Sequence, residues 1–397
     1  MRIAHVTDCY LPRMGGIERQ VHGLATAQLA AGHDVTVLTS VPAGSPDGAD
    51  STDGIPVLRP AGAGSRPGAI RYQASLRGRQ VAAGYDLVHV HLSTFSPLAF
   101  TAAAAARRAG VPTVATVHSL WSYATPIFRG SDAALGWRSW PLAWTAVSSV
   151  AAQELARVLR PGTEISVLAN GVRPELWQLP ARGPRAQDRV GIVSVMRLAA
   201  RKRPMQLLRV LRAVRDQVPA GIALEVRIIG DGPQREAMQD YLRRHRMTGW
   251  VELTGQLDQP AIRDRFADAD LYVSPAVLES FGIAALEARC AGLPVLAFAG
   301  TGVADFVTDG RDGVLVGSDG QLVAELARLA CSPAARAELA GYQQGGPGSQ
   351  QGGPGSQQGG SGYRWEEVLA TCEQVYRRAF AQSGRPVLEP VPAVRSR

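Results

Sequence analysis

The chain reads as an α/β protein built from two doubly wound parallel sheets, and three observations carry that reading. Short apolar runs alternate with helical stretches from the first residues onward. A segment rich in proline and glycine interrupts the alternation once, after which it resumes. The length of 397 residues exceeds one ordinary core and suits two domains of roughly 170 to 190 residues each.

Ile3 to Thr7 is an apolar strand, and Gly15-Gly16 leads from it into a helix. That helix runs from Ile17 to Ala30, with Val21, Leu24, Ala25 and Leu29 on one face. Gly32-His33 turns the chain into the strand Val35 to Leu38. Further strands are expected at Leu87 to His91, Thr113 to His118, Thr145 to Val147 and Ile165 to Leu168, with helical stretches between them. Apolar runs separated by helices predict parallel strands covered on both faces. A break from Asn170-Gly171-Val172 through Pro174, Pro180, Gly183 and Pro184 is the expected interdomain linker. The second series follows at Val190 to Val195, Leu224 to Ile229, Val251 to Leu253, Leu271 to Val273, Val295 to Phe298 and Val314 to Val316.

The expected organisation is a first domain over 1–171 and a second over 172–342. Residues 343–362 repeat Gln-Gln-Gly-Gly-Pro-Gly-Ser without an apolar face, which predicts a flexible linker. Tyr363-Arg364-Trp365 opens a terminal helix over 363–381, with Val368, Leu369, Val375 and Tyr376 for packing. The proline-containing tail, 382–397, is expected to be disordered.

Composition excludes several classes. The most apolar stretch, near Ala99 to Ala106, is broken by Arg107-Arg108, so no membrane-spanning helix is expected. Met1 to Thr7 reads as a strand and not as a secretory leader, which points to the cytoplasm. Cys9, Cys290, Cys331 and Cys372 are far apart and form no Cys-x-x-Cys pair, as expected of reduced thiols. The net charge is +8, but the basic residues are scattered without interleaved aromatic platforms, so no nucleic acid partner is expected. Arginine supplies almost all of that charge; Lys202 is the single lysine.

The most informative stretch lies between Leu271 and Leu296. Glu279 and Glu287 stand eight apart, on either side of a turn at Gly282 that enters a helix from Ile283 to Ala291. A strand, a glycine turn and a helix N-terminus make an anion site from free backbone N–H groups. Two carboxylates beside it accept hydrogen bonds from hydroxyls, which suits a ligand with both a phosphate and a polyol. This run resembles the Glu-x7-Glu signature of retaining glycosyltransferases of family 4, which have the GT-B fold of two Rossmann-like domains facing across a cleft.

The resemblance covers the chain apart from the repeat and the tail, and its implications fall on particular residues. Glu287 would hold ribose hydroxyls and Glu279 a sugar hydroxyl, while the backbone at Phe281, Gly282 and Ile283 would serve sugar and phosphate. Arg197 and Lys202 match the family's pair of cations that holds the donor diphosphate. Gly15 and Gly16 match its glycine-rich loop, with a plain turn as the alternative. His118 matches a histidine near the sugar, where an imidazole can donate to a hydroxyl; a strand-end histidine bonded to a carbonyl is the alternative. For His89 and His91 structural and functional readings balance.

Asp268-Ala269-Asp270 looks like a metal-holding Asp-x-Asp, but its place before a strand suggests a cap, so no metal and no cofactor are expected. Gly230-Asp231-Gly232-Pro233 is equally a turn or a nucleotide contact. Trp137, Trp140 and Trp144 suggest a core face, with a membrane-interface patch as the sharper alternative. The implied activity is metal-independent transfer from a nucleotide-sugar donor to a hydroxyl acceptor, soluble or lipid-linked, with peripheral contact at the inner face of the membrane. Two rivals stay open: an epimerase-like GT-B enzyme acting on a sugar nucleotide alone, and a non-catalytic nucleotide-sugar scaffold.

Overall fold

The computed structural model describes residues 1–13, 15–42, 51–59, 84–121, 124–179, 188–343 and 362–386. The repeat at 344–361 and the tail from 387, expected to be flexible linker and disordered end, lie outside the described residues. The chain divides into two compact units, Met1–Gly171 with Tyr363–Arg397, and Val172–Gly362.

Among the described residues the first unit holds eight strands: β1 (Arg2–Thr7), β2 (Asp34–Thr39), β3 (Ser51–Thr52), β4 (Ile55–Leu58), β5 (Leu87–Leu92), β6 (Thr113–Val117), β7 (Ala143–Ala146) and β8 (Ile165–Val167). Their order is β3-β4-β2-β1-β5-β6-β7-β8, parallel except for the β3–β4 pair. The short β3 and β4 have no sequence signal of their own, since Asp53-Gly54 and Pro56 read as turn. The chain leaves β1 toward β2 and β4, then returns to the other side of β1 at β5. The crevice at the carboxyl ends of β1 and β5 is therefore this sheet's topological switch point.

The second unit holds β9 (Arg189–Val195), β10 (Ala223–Ile229), β11 (Val251–Gly255), β12 (Leu271–Val273), β13 (Val295–Phe298) and β14 (Gly313–Val316). All are parallel, in the order β11-β10-β9-β12-β13-β14. Here the direction reverses between β9 and β12. The central strands are almost wholly buried, as expected of apolar runs covered by helices on both faces.

Three expectations are corrected. Leu29, assigned to the buried face of the first helix (Gly16–Ala30), is exposed, and Gln28 is buried instead. A glutamine is tolerated there because interior hydrogen bonds satisfy its amide. The opening of the expected linker is packed chain: Pro174 is buried and the Trp177 ring lies 5.5 Å from that of Phe266. The terminal helix runs from Trp365 to Ser383. Its Val368, Cys372, Val375, Tyr376, Ala379 and Phe380 join Ile3, Leu24, Leu87 and Val114 in one core of the first unit. Trp365 enters through space that only glycines leave open, since a Cβ on Gly23 or Gly171 would come within 2.3 or 2.4 Å of its ring.

Trp137 and Trp144 are buried beside Trp121 and Phe128, while the ring of Trp140 lies under the Arg107 guanidinium, 5.4 Å away. The core reading holds for the first two, so they offer nothing to a membrane surface. Among the described residues no helix is long and apolar enough to cross a membrane.

Candidate active site

The structure places the candidate residues in two groups, one at the switch point of each sheet. In the second unit, β9 and β12 are hydrogen-bonded neighbours, with Tyr272 level with Val193. The loops that leave their carboxyl ends therefore emerge side by side. One carries Arg197 and Lys202; the other carries Glu279, Phe281 and Gly282.

Lys202 lies on a single helical turn, Ala200–Lys202, and its Nζ forms an ion pair with Glu279 Oε2. Both side chains are mostly covered. Arg197, on the same loop, is exposed. Arg203 is occupied structurally: its guanidinium donates to Asp319 at 2.7 Å and to the Pro275 carbonyl at 3.1 Å.

The loops are held by backbone contacts that admit only glycine. Gly230 and Gly232 have positive φ, and a Cβ on either would strike the carbonyl oxygen of Met196 or Leu198. Leu198 N–H donates to Asp231 O at 2.9 Å, and Gln234 N–H to Leu198 O at 2.9 Å. The Gly230–Pro233 turn thus braces the loop that carries Arg197. On the other side, Gly302 N–H donates to the Glu279 carbonyl at 3.0 Å.

Gly282 caps the helix Ile283–Cys290 in the left-handed region, φ 96 and ψ 53, which L side chains disfavour. Gly282 has no side chain to cap this helix, whose first turn carries the positive end of the helix dipole, a setting that favours an anion. Phe281 is buried against Phe306, with ring centroids 5.5 Å apart. Glu287 is buried within the helix. Burial, and then the carboxylates of Glu279 and Glu287, push the Tyr272 phenol far above its ordinary value, so both acids lie near that ring.

Asp270 accepts from Gly191 N–H at 2.7 Å, and Asp268 lies 3.8 Å from Arg227.

In the first unit, Gly15 caps the first helix with extended backbone, and Gly16 is its first residue. The space where a Gly15 Cβ would stand is taken by the Glu18 carboxylate, 2.4 Å away, which itself pairs with Arg13 at 3.3 Å. Gly15 is thus closely approached by a side chain, and its extended φ places no demand for glycine. The half-buried Asp8 carboxylate accepts from Leu98 N–H and Ala99 N–H, both at 3.1 Å, at the start of the helix Pro97–Arg108. Sequence reading overlooked Asp8; an acid closing an apolar strand was its signal.

His118 follows β6 and is buried, with Nε2 3.0 Å from His91 Nδ1. Burial lowers its pKa to about 4, so the ring is neutral near pH 7. His5, His89 and His91 bring ligand nitrogens within 4.8 Å of one another, the spacing of a metal trio. Every one of their six ring nitrogens, however, already faces a protein partner: Gln28, His91, Tyr376, Thr116, His5 and His118. Their period-2 placement on β1 and β5 was legible in sequence; their mutual contact was not.

Comparison with known proteins identifies the family and the fold. The family model Glycosyltransferase Family 4 matches residues 14–176, and the model Glycosyl transferases group 1 matches residues 177–344. The chain is 30% identical to the glycogen synthase of Mycobacterium tuberculosis, over 79% of this chain and 82% of that one. It is 28% identical to a GDP-mannose-dependent alpha-mannosyltransferase of Mycolicibacterium smegmatis, over 80% and 84% of the two chains. Among solved structures it is similar to Anabaena HepE in complex with UDP and glucose, with TM-score 0.72, 17% identity and coverage of 95% and 99%. Sucrose-phosphate synthase of Thermosynechococcus elongatus matches with TM-score 0.72, 19% identity and coverage of 96% and 99%.

Proposed function

The chain belongs to glycosyltransferase family 4 and is a glycosyltransferase with two Rossmann-like domains of the GT-B type; from that premise we propose that it transfers a sugar, with retention and without a metal, from a nucleotide-sugar donor to a hydroxyl acceptor. The observation that carries this reading is the meeting of Lys202 and Glu279 at the switch point of the second sheet, beside an uncapped helix N-terminus. A nucleoside diphosphate sugar has the complementary groups.

In this reading the diphosphate lies against Lys202, Arg197 and the N–H groups at Gly282 and Ile283. Glu287 receives ribose hydroxyls and Glu279 a sugar hydroxyl. A diphosphate that reaches Lys202 shares the ammonium with Glu279, which leaves that carboxylate oriented by the same cation while it accepts from the sugar. As the glycosidic bond breaks, charge builds on the departing phosphate, and fixed cations and dipoles stabilise that charge. Front-face attack then passes the acceptor proton to the departing phosphate. Gly15, Gly16 and His118 are the candidate sugar and acceptor contacts of the first unit. Asp270 accepts from the Gly191 backbone N–H, which supports cationic side chains in place of a metal.

One relative named above is GDP-mannose-dependent and one similar structure holds UDP and glucose, which supports a nucleotide-sugar donor. The exposed Phe95, Ile127 and Leu135 of the first unit support peripheral contact with the inner face of the membrane and a lipid-linked hydroxyl acceptor. Action in the cytoplasm accords with a nucleotide-sugar donor.

The test is a thermal-shift screen of UDP- and GDP-sugars, followed by product mass and anomeric configuration with candidate acceptors. Stabilisation by one donor and an α-linked product from an α-donor are expected. An inverted linkage, or isomerisation of the donor with no acceptor present, overturns the proposal.

A further inference from the structure

Arg203 stands between the helical turn Ala200–Lys202 and the helix Pro204–Gln217 with φ 59 and ψ 40, in the left-handed region. Two local forces oppose that conformation. The Cβ crowds the following carbonyl, and the proline that comes next pushes its predecessor toward extended backbone. A residue with a side chain persists there only where its surroundings over-determine it. Here one side chain meets three groups. The guanidinium donates through Nη1 to the Pro275 carbonyl at 3.1 Å and through Nη2 to Asp319 Oδ2 at 2.7 Å, and its Cζ lies 5.4 Å from the centre of the Phe298 ring.

The sheet gives these contacts a common meaning. Its order places β9, β12, β13 and β14 side by side. Arg203 follows β9, Pro275 follows β12, Phe298 closes β13 and Asp319 follows β14. One side chain thus spans the carboxyl ends of four neighbouring strands. Asp319 is a fixed post for it. The same oxygen accepts from Gln206 Nε2 at 2.7 Å, and the acid opens the helix Asp319–Cys331, where the dipole favours a negative charge.

Two consecutive residues therefore grip one loop. Lys202 holds the Glu279 side chain, and Arg203 holds the backbone of Pro275, four residues earlier. A ligand acts on these grips differently. A diphosphate competes for the Lys202 ammonium and loosens its hold on Glu279. The Arg203 grip ends on a neutral carbonyl and a separately anchored acid, so it persists when Lys202 changes partner. The planar guanidinium fork suits this work, because it reaches two acceptors in fixed directions.

We propose that Arg203 is a positioning residue of the donor site, which keeps the Glu279 carboxylate placed for a sugar hydroxyl while Lys202 turns its charge to the diphosphate. The proposal rests on the reading of Lys202 and Glu279 as donor contacts. Arg203 itself touches no substrate; its effect on transfer passes through Glu279.

The test is a double-mutant cycle between Arg203 and Glu279 in the full-length protein, with hydrogen exchange read across 274–282. Arg203→Gly removes the guanidinium together with the Cβ that the left-handed backbone disfavours, so melting should change little. Its kcat is expected to fall about 10- to 100-fold, the cost of a misplaced contact. The Kd of UDP or GDP, whichever the donor carries, should stay within about twofold, because Lys202 and Arg197 remain. Exchange across 274–282 should rise. In a Glu279→Ala background the same substitution should cost less than about twofold in kcat. Arg203→Lys keeps the charge without the fork, should behave alike, and serves if the glycine variant is unstable. Penalties that multiply in the double variant overturn the proposal, as does wild-type kcat or unchanged exchange in both Arg203 variants. Wild-type turnover by Glu279→Ala overturns the underlying donor-site reading instead. The two failures are told apart because exchange across 274–282 reports the grip of Arg203 without activity.

Discussion

Lys202 Nζ and Glu279 Oε2 form an ion pair across 77 residues of chain. The only lysine in the protein is thus held by one of the two acids of the most informative sequence motif. The pairing follows from the sheet: β9 and β12 are neighbours, so the loops after them share one crevice. A partly covered pair of this kind contributes little to stability, and its value lies in placing both groups ahead of the ligand.

Removing either partner should therefore act on transfer more than on folding. Lys202→Ala and Glu279→Ala are each expected to lower kcat/KM by about 10² to 10³, the usual cost of one preorganised charge contact. Steady-state kinetics with the preferred donor, beside melting temperatures, measure both effects. Wild-type turnover in either variant removes that residue from the site.

Metal should be dispensable. With Asp270 bonded to Gly191 N–H and Asp268 beside Arg227, the cationic work falls to Lys202 and Arg197. Transfer rates with and without a chelator are expected to agree. A loss that magnesium or manganese restores would refute the assignment.

The turn at Gly282 makes a sharper structural test. Its φ of 96 disfavours any side chain, and a Cβ there would lie 2.6 Å from Val303 Cγ2. Gly282→Ala is expected to cost about 1 to 3 kcal/mol and to lower the melting temperature by several degrees. Gly249→Ala, where a Cβ meets nothing within 4 Å, should leave it unchanged. Equal melting of the two variants would show that the turn relaxes freely.

The terminal helix should depend on Gly171. A Cβ there would stand 2.4 Å from the Trp365 ring, in a well-packed core. Gly171→Ala is expected to raise hydrogen exchange across Trp365–Ser383 and to destabilise the first unit. Unchanged protection would mean that Trp365 has room to move.

The buried histidines predict how stability follows pH. Burial holds His5 and His118 at about 4, and His89 and His91 well below 6.5, so each is depressed in the folded state. Unfolding returns them to 6.5, where they take up protons that the fold refuses. Stability should be full above about 6.5 and fall as pH drops toward 4, because the unfolded state binds more protons in that window. Asp8, raised by burial, opposes the trend as a single group. Denaturant unfolding of the first unit between pH 7 and pH 4.5 checks the slope; a flat profile would mean that the imidazoles take up protons without unfolding.

The sequence by itself determined the two sheets, since buried parallel strands must be apolar runs separated by helices, and that pattern is local. It also carried the Glu279–Glu287 motif, because a strand, a glycine turn and a helix entry are neighbours along the chain. It could not show that Lys202 grips Glu279, or that Glu18 fills the space beside Gly15, since those contacts depend on which strands lie side by side and where each helix begins. Leu29 and Gln28 make the same point within one helix: hydropathy assigned Leu29 inward, yet the interior accepted Gln28. Only the tertiary structure decided that, because a buried amide is tolerated where partners from distant segments satisfy it. His5, Tyr376 and Cys372 meet there only after the sheet is assembled and the terminal helix has docked.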